Sequence, residues 1–147
     1  MKKEFKLEKV LEFRIKELDK EKAKLRELTA QDNMMVQQMY EIIEEIKSKR
    51  VEQENEVSEG NFNFTELYNK YISTRENDLE FIRKKRDEVL KLIEKQKEVM
   101  KKALSNVKIM EKLKEKHLLE YAKYMSKLEE LQIDEINITK AKNIESF

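Results

Sequence analysis

Two long helical patterns are separated by the stretch Ser58-Glu59-Gly60-Asn61-Phe62-Asn63, which contains the only glycine of a chain of 147 residues. Glycine can adopt the left-handed backbone conformation that commonly ends an α-helix. Because the chain has no proline, no other position carries a turn signal of this strength. The stretch therefore predicts a turn at about residues 59–63.

The residues after the glycine favour a second helix. Asn63 can cap that helix, and Glu66, three residues later, completes the pattern of a capping box. Phe62 and Leu67 occupy the two positions of a hydrophobic staple. A helix stop and a helix start this close together predict an αα-hairpin.

A seven-residue apolar repeat runs through the second helix, predicted at about 64–140, from Tyr68 to Ile138 without losing phase. Its positions a are Ile72, Leu79, Arg86, Ile93, Met100, Val107, Lys114, Tyr121, Leu128 and Glu135, and its positions d are Tyr68, Arg75, Ile82, Val89, Gln96, Ala103, Met110, His117, Tyr124, Leu131 and Ile138. Such a helix is roughly 105 Å long and needs a partner along its apolar seam.

The first helix, predicted at about 5–58, supplies that partner. Its seam residues are Leu7, Leu11, Leu18, Leu25, Leu28, Met35, Met39, Ile42 and Ile46. No Ser, Thr, Asp or Asn stands before Phe5 to cap the helix, so we expect its start to fray.

One antiparallel register satisfies both helices. Centring the turn between Gly60 and Asn61 brings every position a of the first helix opposite a position d of the second. The apolar layers are Leu11 with Met110, Leu18 with Ala103, Leu28 with Ile93, Met39 with Ile82 and Ile42 with Leu79; the mixed layers are Leu25 with Gln96, Met35 with Arg86, Asp32 with Val89 and Arg14 with Val107. We expect the charged seam residues to reach outward to water.

In this register the first helix extends only to about Glu4, which lies opposite His117. The second helix should then project unpaired from about Leu118 to Ile138, with an apolar stripe of Tyr121, Tyr124, Leu128 and Leu131 that requires a partner protein or a second copy. The predicted fold is therefore all-α: a long antiparallel two-helix coiled coil with a C-terminal helical overhang, forming one hairpin over residues 1–147.

Composition and charge exclude several functional classes. Charged residues make up 43% of the chain, and 32 Lys plus Arg nearly balance 31 Asp plus Glu, which disfavours nucleic acid as a partner. No apolar run approaches the length of a transmembrane segment, and no signal peptide is apparent, so we expect a cytoplasmic protein. Residues 41–80 nevertheless carry eleven acids against five bases, whereas residues 83–116 carry thirteen bases against six acids. This asymmetry is typical of solvated helix faces, or of two regions that bind different partners.

The sequence contains no recognisable catalytic, phosphate-binding or metal-binding motif. His117 is the only histidine and there is no cysteine, so zinc sites and catalytic triads lack their usual residues. No glycine-rich loop is present to bind phosphate. The basic run at 83–86 is interpreted as a solvated face. We predict no catalytic, cofactor-binding or metal-binding residue, and no enzymatic activity.

Four segments resemble one known family. They are Phe5-x-Leu7-x-x-Val10-Leu11-x-x-Arg14 followed by Glu17 and Lys20-Glu21-Lys22, then Tyr71-Ile72, then Glu111-Lys112-Leu113-Lys114-Glu115-Lys116, and finally Leu128-Glu129-Glu130-Leu131-Gln132-Ile133-Asp134-Glu135-Ile136. In order and spacing they are similar to FliJ-type proteins of the bacterial flagellar export apparatus.

That resemblance implies a shape like the gamma stalk of rotary ATPases and three partners: the hexameric export ATPase, the cytoplasmic domain of the membrane export gate, and export chaperones. It implies a location on the cytoplasmic side of the membrane at the flagellar basal body. The resemblance implies that the residues in contact with the ATPase ring are Phe5, Leu7, Leu11, Arg14, Met110, Tyr121, Tyr124, Leu128 and Leu131. It implies that those in contact with the gate are Tyr68, Tyr71, Ile72 and Arg75. The alternatives are the stalk of a virulence-type III secretion system and a generic coiled-coil spacer or scaffold.

Overall fold

The computed structural model describes residues 1–145, which form two α-helices, α1 (Glu8–Ser58) and α2 (Thr65–Glu145). No β-strand is present in this part of the chain. The chain divides into two compact units: a turn unit, Lys20–Met100, and a terminal unit, Met1–Asp19 with the described residues from Lys101 onward. Two long helices joined by a short connection confirm the predicted all-α hairpin.

The turn ends α1 as predicted. Gly60 has a φ of 83°. The Asn61 amide donates to the Glu56 carbonyl at 2.8 Å, and the Gly60 amide donates to the Val57 carbonyl at 3.1 Å. These two bonds form a Schellman motif, which satisfies carbonyls that the end of the helix would leave unpaired. The Asn61 side chain adds a 2.9 Å hydrogen bond to the Glu56 carboxylate.

The start of α2 differs from the prediction. The helix begins at Thr65, and its first helical hydrogen bond runs from the Tyr68 amide to the Phe64 carbonyl at 2.9 Å. Within the described residues the Asn63 side chain makes no capping hydrogen bond, because the helix starts one residue too late for it. The hydrophobic staple is also wrong, since Phe62 and Leu67 stay 66% and 65% exposed.

In the turn unit, Ile42, Ile46 and Ile72 form a buried cluster against which Leu79 and Ile82 pack. These are predicted seam positions. The two helices are antiparallel, since Gln53 pairs with Asn69 at 2.8 Å near the turn and Asp32 pairs with Arg86 at 2.7 Å further from it. The predicted register therefore holds in this unit.

The polar seam residues of the turn unit pair with each other across the helices instead of reaching separately into water. Arg86 donates to Asp32, whose carboxylate is mostly covered. Gln96 donates to both the carbonyl and the carboxylate of Glu21. The hydrogen bond from Gln96 lowers the pKa of Glu21. Mixed layers predicted from the heptads become cross-helix hydrogen bonds because the polar residues of neighbouring layers are within reach of one another.

In the terminal unit, Leu11, Leu18, Val107 and Met110 are buried, and Glu8 forms an ion pair with Lys114 at 2.9 Å. The helix α1 begins at Glu8, later than the predicted start at about residue 5, because no capping residue precedes it. The segment before it lies against α2. His117 Nε2 donates to the Lys3 carbonyl at 3.2 Å, and the Phe5 ring lies 5.9 Å from the His117 ring.

The contacts of the N-terminal segment with α2 thus reach His117 and Leu118, close to where the register predicts that pairing ends. Beyond these residues α2 continues to Glu145, further than the predicted end at about 140. We call residues 119–145 the overhang.

Replacing Gly60 with alanine should destabilise the hairpin by about 1–2 kcal/mol, because an L-residue pays that much to adopt the left-handed conformation. A Cβ atom at this position would meet no atom within 4 Å, so the cost is conformational and not steric. Gly60→Asn should cost less. Chemical denaturation measures the effect, with Glu59→Ala as the control. Equal stability of Gly60→Ala and the parent chain would contradict the assignment of the turn.

Candidate protein-docking surfaces

The overhang presents the predicted apolar stripe on one helical face. Tyr121, Tyr124, Leu128 and Leu131 alternate at intervals of three and four residues, which places them in line along the helix. Leu131 is 54% exposed, Tyr124 is also exposed, and Tyr121 and Leu128 are half-buried. An apolar line of this kind on a helix surface is typical of a protein-binding site.

The other ring-contact candidates occupy different environments in the terminal unit. Leu11 and Met110 are buried at 5% and 9% exposure, so their side chains pack inside the unit. Phe5 is half-buried beside His117, and Arg14 is held by Glu17 at 3.2 Å. Leu7 is exposed. Among the ring-contact candidates, Leu7, Tyr124 and Leu131 therefore expose the most apolar surface to a partner.

A groove of about 560 Å³ lies in the turn unit beside the start of α2. Its apolar lining comes from Phe64, Leu67, Tyr68 and Tyr71 of the connection and α2, and its polar edge from Glu45, Lys49 and Glu52 of α1. The Lys49 ammonium lies 5.9 Å from the centre of the Tyr71 ring, within range of a cation–π interaction. An aromatic floor with a charged rim suits the capture of an apolar side chain from another protein.

The groove contains only two of the four gate candidates, Tyr68 and Tyr71. Ile72 is 7% exposed and belongs to the buried cluster. Arg75 donates to Glu45 through Nε at 3.1 Å and Nη2 at 2.9 Å, and to Asp78 through Nη1 at 3.0 Å. It thus positions Glu45 at the groove edge.

Sequence reasoning missed the remaining lining residues, of which Phe64 and Leu67 are the apolar ones. A signal for them exists, because positions 64, 67, 68 and 71 form a three- and four-residue apolar series beside the heptad seam. Lys49 and Glu52 carry no comparable signal, since single charges on an α1 face look like many others.

The described residues show no sign of a metal centre: across residues 1–145, no group of three or more metal-binding side chains is gathered in one place. In the same part of the chain, no helix is both long and apolar enough to span a bilayer.

Comparison with known proteins settles the family. A family model described as the flagellar FliJ protein matches residues 2–145. The chain belongs to the FliJ family. This membership confirms the resemblance carried by the four sequence segments, and it makes the chain a component of the flagellar protein export apparatus. No curated protein and no solved structure matches the chain.

The FliJ match covers both docking surfaces. The overhang lies entirely within the matched residues, and so does every residue that lines the turn-unit groove. Both surfaces therefore belong to the part of the chain that is FliJ-like.

Proposed function

We propose that this FliJ family member is the non-enzymatic central stalk of the hexameric flagellar export ATPase, with its overhang inserted in the ring. The observation that carries the proposal is the apolar stripe from Tyr121 to Leu131, on a helix that continues past its paired region. A single helix with exposed apolar residues needs a sleeve to cover it, and the channel of a ring provides one.

We further propose that the turn-unit groove binds the cytoplasmic domain of the export gate. The groove combines exposed aromatic surface with the carboxylates of Glu45 and Glu52, in a region where residues 41–80 hold eleven acids against five bases. A gate segment that carries an apolar anchor next to a cation would complement it. The chain would then link the ATPase to the gate and escort export chaperones, on the cytoplasmic side of the membrane at the basal body.

The ring contact is tested by mixing the full chain with the assembled hexameric export ATPase. The proposal predicts co-sedimentation with the ring and faster ATP hydrolysis. Absence of both effects would overturn it. The virulence-type alternative has no specific support in these observations, because the matching family model is the flagellar one.

The gate contact makes a separate prediction. Tyr71→Ala should weaken binding to the gate's cytoplasmic domain about tenfold, the typical effect of removing an aromatic anchor, and leave stimulation of the ATPase unchanged. Isothermal titration calorimetry measures the affinity. Tyr40→Ala is the matched control, because Tyr40 is an exposed tyrosine of the same unit that does not line the groove. Equal loss of affinity in both variants would argue against the groove as the binding site.

A further inference from the structure

Two exposed residues of opposite charge flank the apolar stripe of the overhang. Lys127 precedes Leu128, and Asp134 follows Leu131 by three residues. Both occupy position g of the heptad, which lies beside position a. Residues at such flanking positions pair between the helices of a coiled coil and decide how the helices are arranged.

We propose that two copies of the chain pair through antiparallel overhangs, with Leu128 of each copy against Leu131 of the other. Because the arrangement has twofold symmetry, Lys127 of each copy then lies near Asp134 of the other, and the ion pair forms twice. This register also sets Tyr121 opposite Ile138. It sets Tyr124 opposite Glu135, whose carboxylate can accept a hydrogen bond from the tyrosine hydroxyl.

Charge disfavours the other arrangements. Sliding the antiparallel register by one heptad, so that Tyr124 meets Leu128, brings Lys127 against Lys127 and Glu120 near Asp134. Parallel pairing places Glu135 against Glu135 in the seam and gives Lys127 no acidic partner at the facing position. Like charges at these sites repel. Of these three arrangements, only the proposed register combines apolar contacts with opposite charges.

The length of the overhang fits the same register. Paired overhangs would overlap over residues 119–140, which lie beyond the contacts of the N-terminal segment with His117 and Leu118. Each copy would cover the exposed apolar stripe of the other. The overlap is short and its seam contains the charged Glu135, so we expect weak pairing, with a dissociation constant on the order of tens of micromolar.

Self-pairing covers Leu128 and Leu131, which are also the proposed ring contacts. The consequence, which rests on the proposed function, is that a chain paired with its copy cannot enter the ring. At concentrations above the dissociation constant, free protein would be mostly paired and inactive, and binding to the ring would dissociate the pairs by mass action.

Sedimentation velocity of the full chain, from about 5 to 500 µM, tests the pairing without the ATPase. The proposal predicts a concentration-dependent dimer. Lys127→Glu and Asp134→Lys should each weaken the dimer about tenfold, because two attractive pairs become repulsive, and the two changes together should restore it. Lys123→Glu is the matched control, with the same charge change at an exposed position away from the seam.

The absence of native cysteine permits a second test of direction. A chain carrying Leu128→Cys, mixed with one carrying Leu131→Cys, should form the mixed disulfide in preference to either self-linked product. A chain that stays monomeric at 500 µM, a double charge swap that does not restore pairing, or preferential linkage of position 128 to itself would overturn the proposal. None of these outcomes bears on stimulation of the ATPase, which is measured separately.

Discussion

Replacing Leu131 with aspartate should strongly weaken stimulation of the hexameric export ATPase while the chain stays folded. Leu131 is 54% exposed in the overhang, so a carboxylate there remains in water in the free protein. Inside a ring the same carboxylate would have to be buried against apolar surface, which is costly without a partner. We expect at least a tenfold loss of apparent affinity for the ring.

The measurement is the rate of ATP hydrolysis as the variant is titrated, with far-UV circular dichroism to verify the fold. Leu92→Asp is the matched control, because Leu92 is a comparably exposed leucine of α2 that lies in the turn unit. Stimulation by Leu131→Asp equal to that of the parent chain would contradict a ring contact at the overhang.

Replacing Leu11 with aspartate, in contrast to Leu131→Asp, should destabilise the folded chain. The family resemblance makes Leu11 a ring-contact candidate, yet the structure buries it at 5% exposure in the terminal unit. Placing an unpaired charge there should cost about 3–5 kcal/mol, a large fraction of the stability of a small protein.

Thermal and chemical denaturation measure this effect. Ile15→Asp, four residues further along α1 at an exposed position, should cost far less. If Leu11→Asp kept parental stability and lost only ATPase binding, Leu11 would have to face the ring rather than the interior of the terminal unit.

The heptads made the fold predictable because the apolar period was unbroken and the chain had one glycine. Every predicted seam residue of α2 from Tyr68 to His117 is at least half-buried. Two independent signals, the position of Gly60 and the phase of the heptads, also agreed on one register. The overhang followed from that register, since α2 is longer than α1.

Details of single residues were less predictable. The start of α2 at Thr65 depends on the path that the chain takes after Gly60, and capping patterns occur by chance in a sequence rich in Asn and Glu. The groove beside Tyr71 arises where the connection and two helices meet, and of its lining residues only Tyr68 was predicted as a seam position. Ile72 and Tyr71 are neighbours in sequence, but one is buried and the other lines the groove.

Site-specific photo-crosslinking tests the central claim, the ring contact of the overhang, most directly. A photoreactive amino acid is placed at position 131 of the overhang, or at the exposed position 67 of the groove, and the full chain is irradiated with the assembled ATPase. We predict an ATPase adduct from position 131 and none from position 67. An adduct from position 67 with none from position 131 would contradict the account.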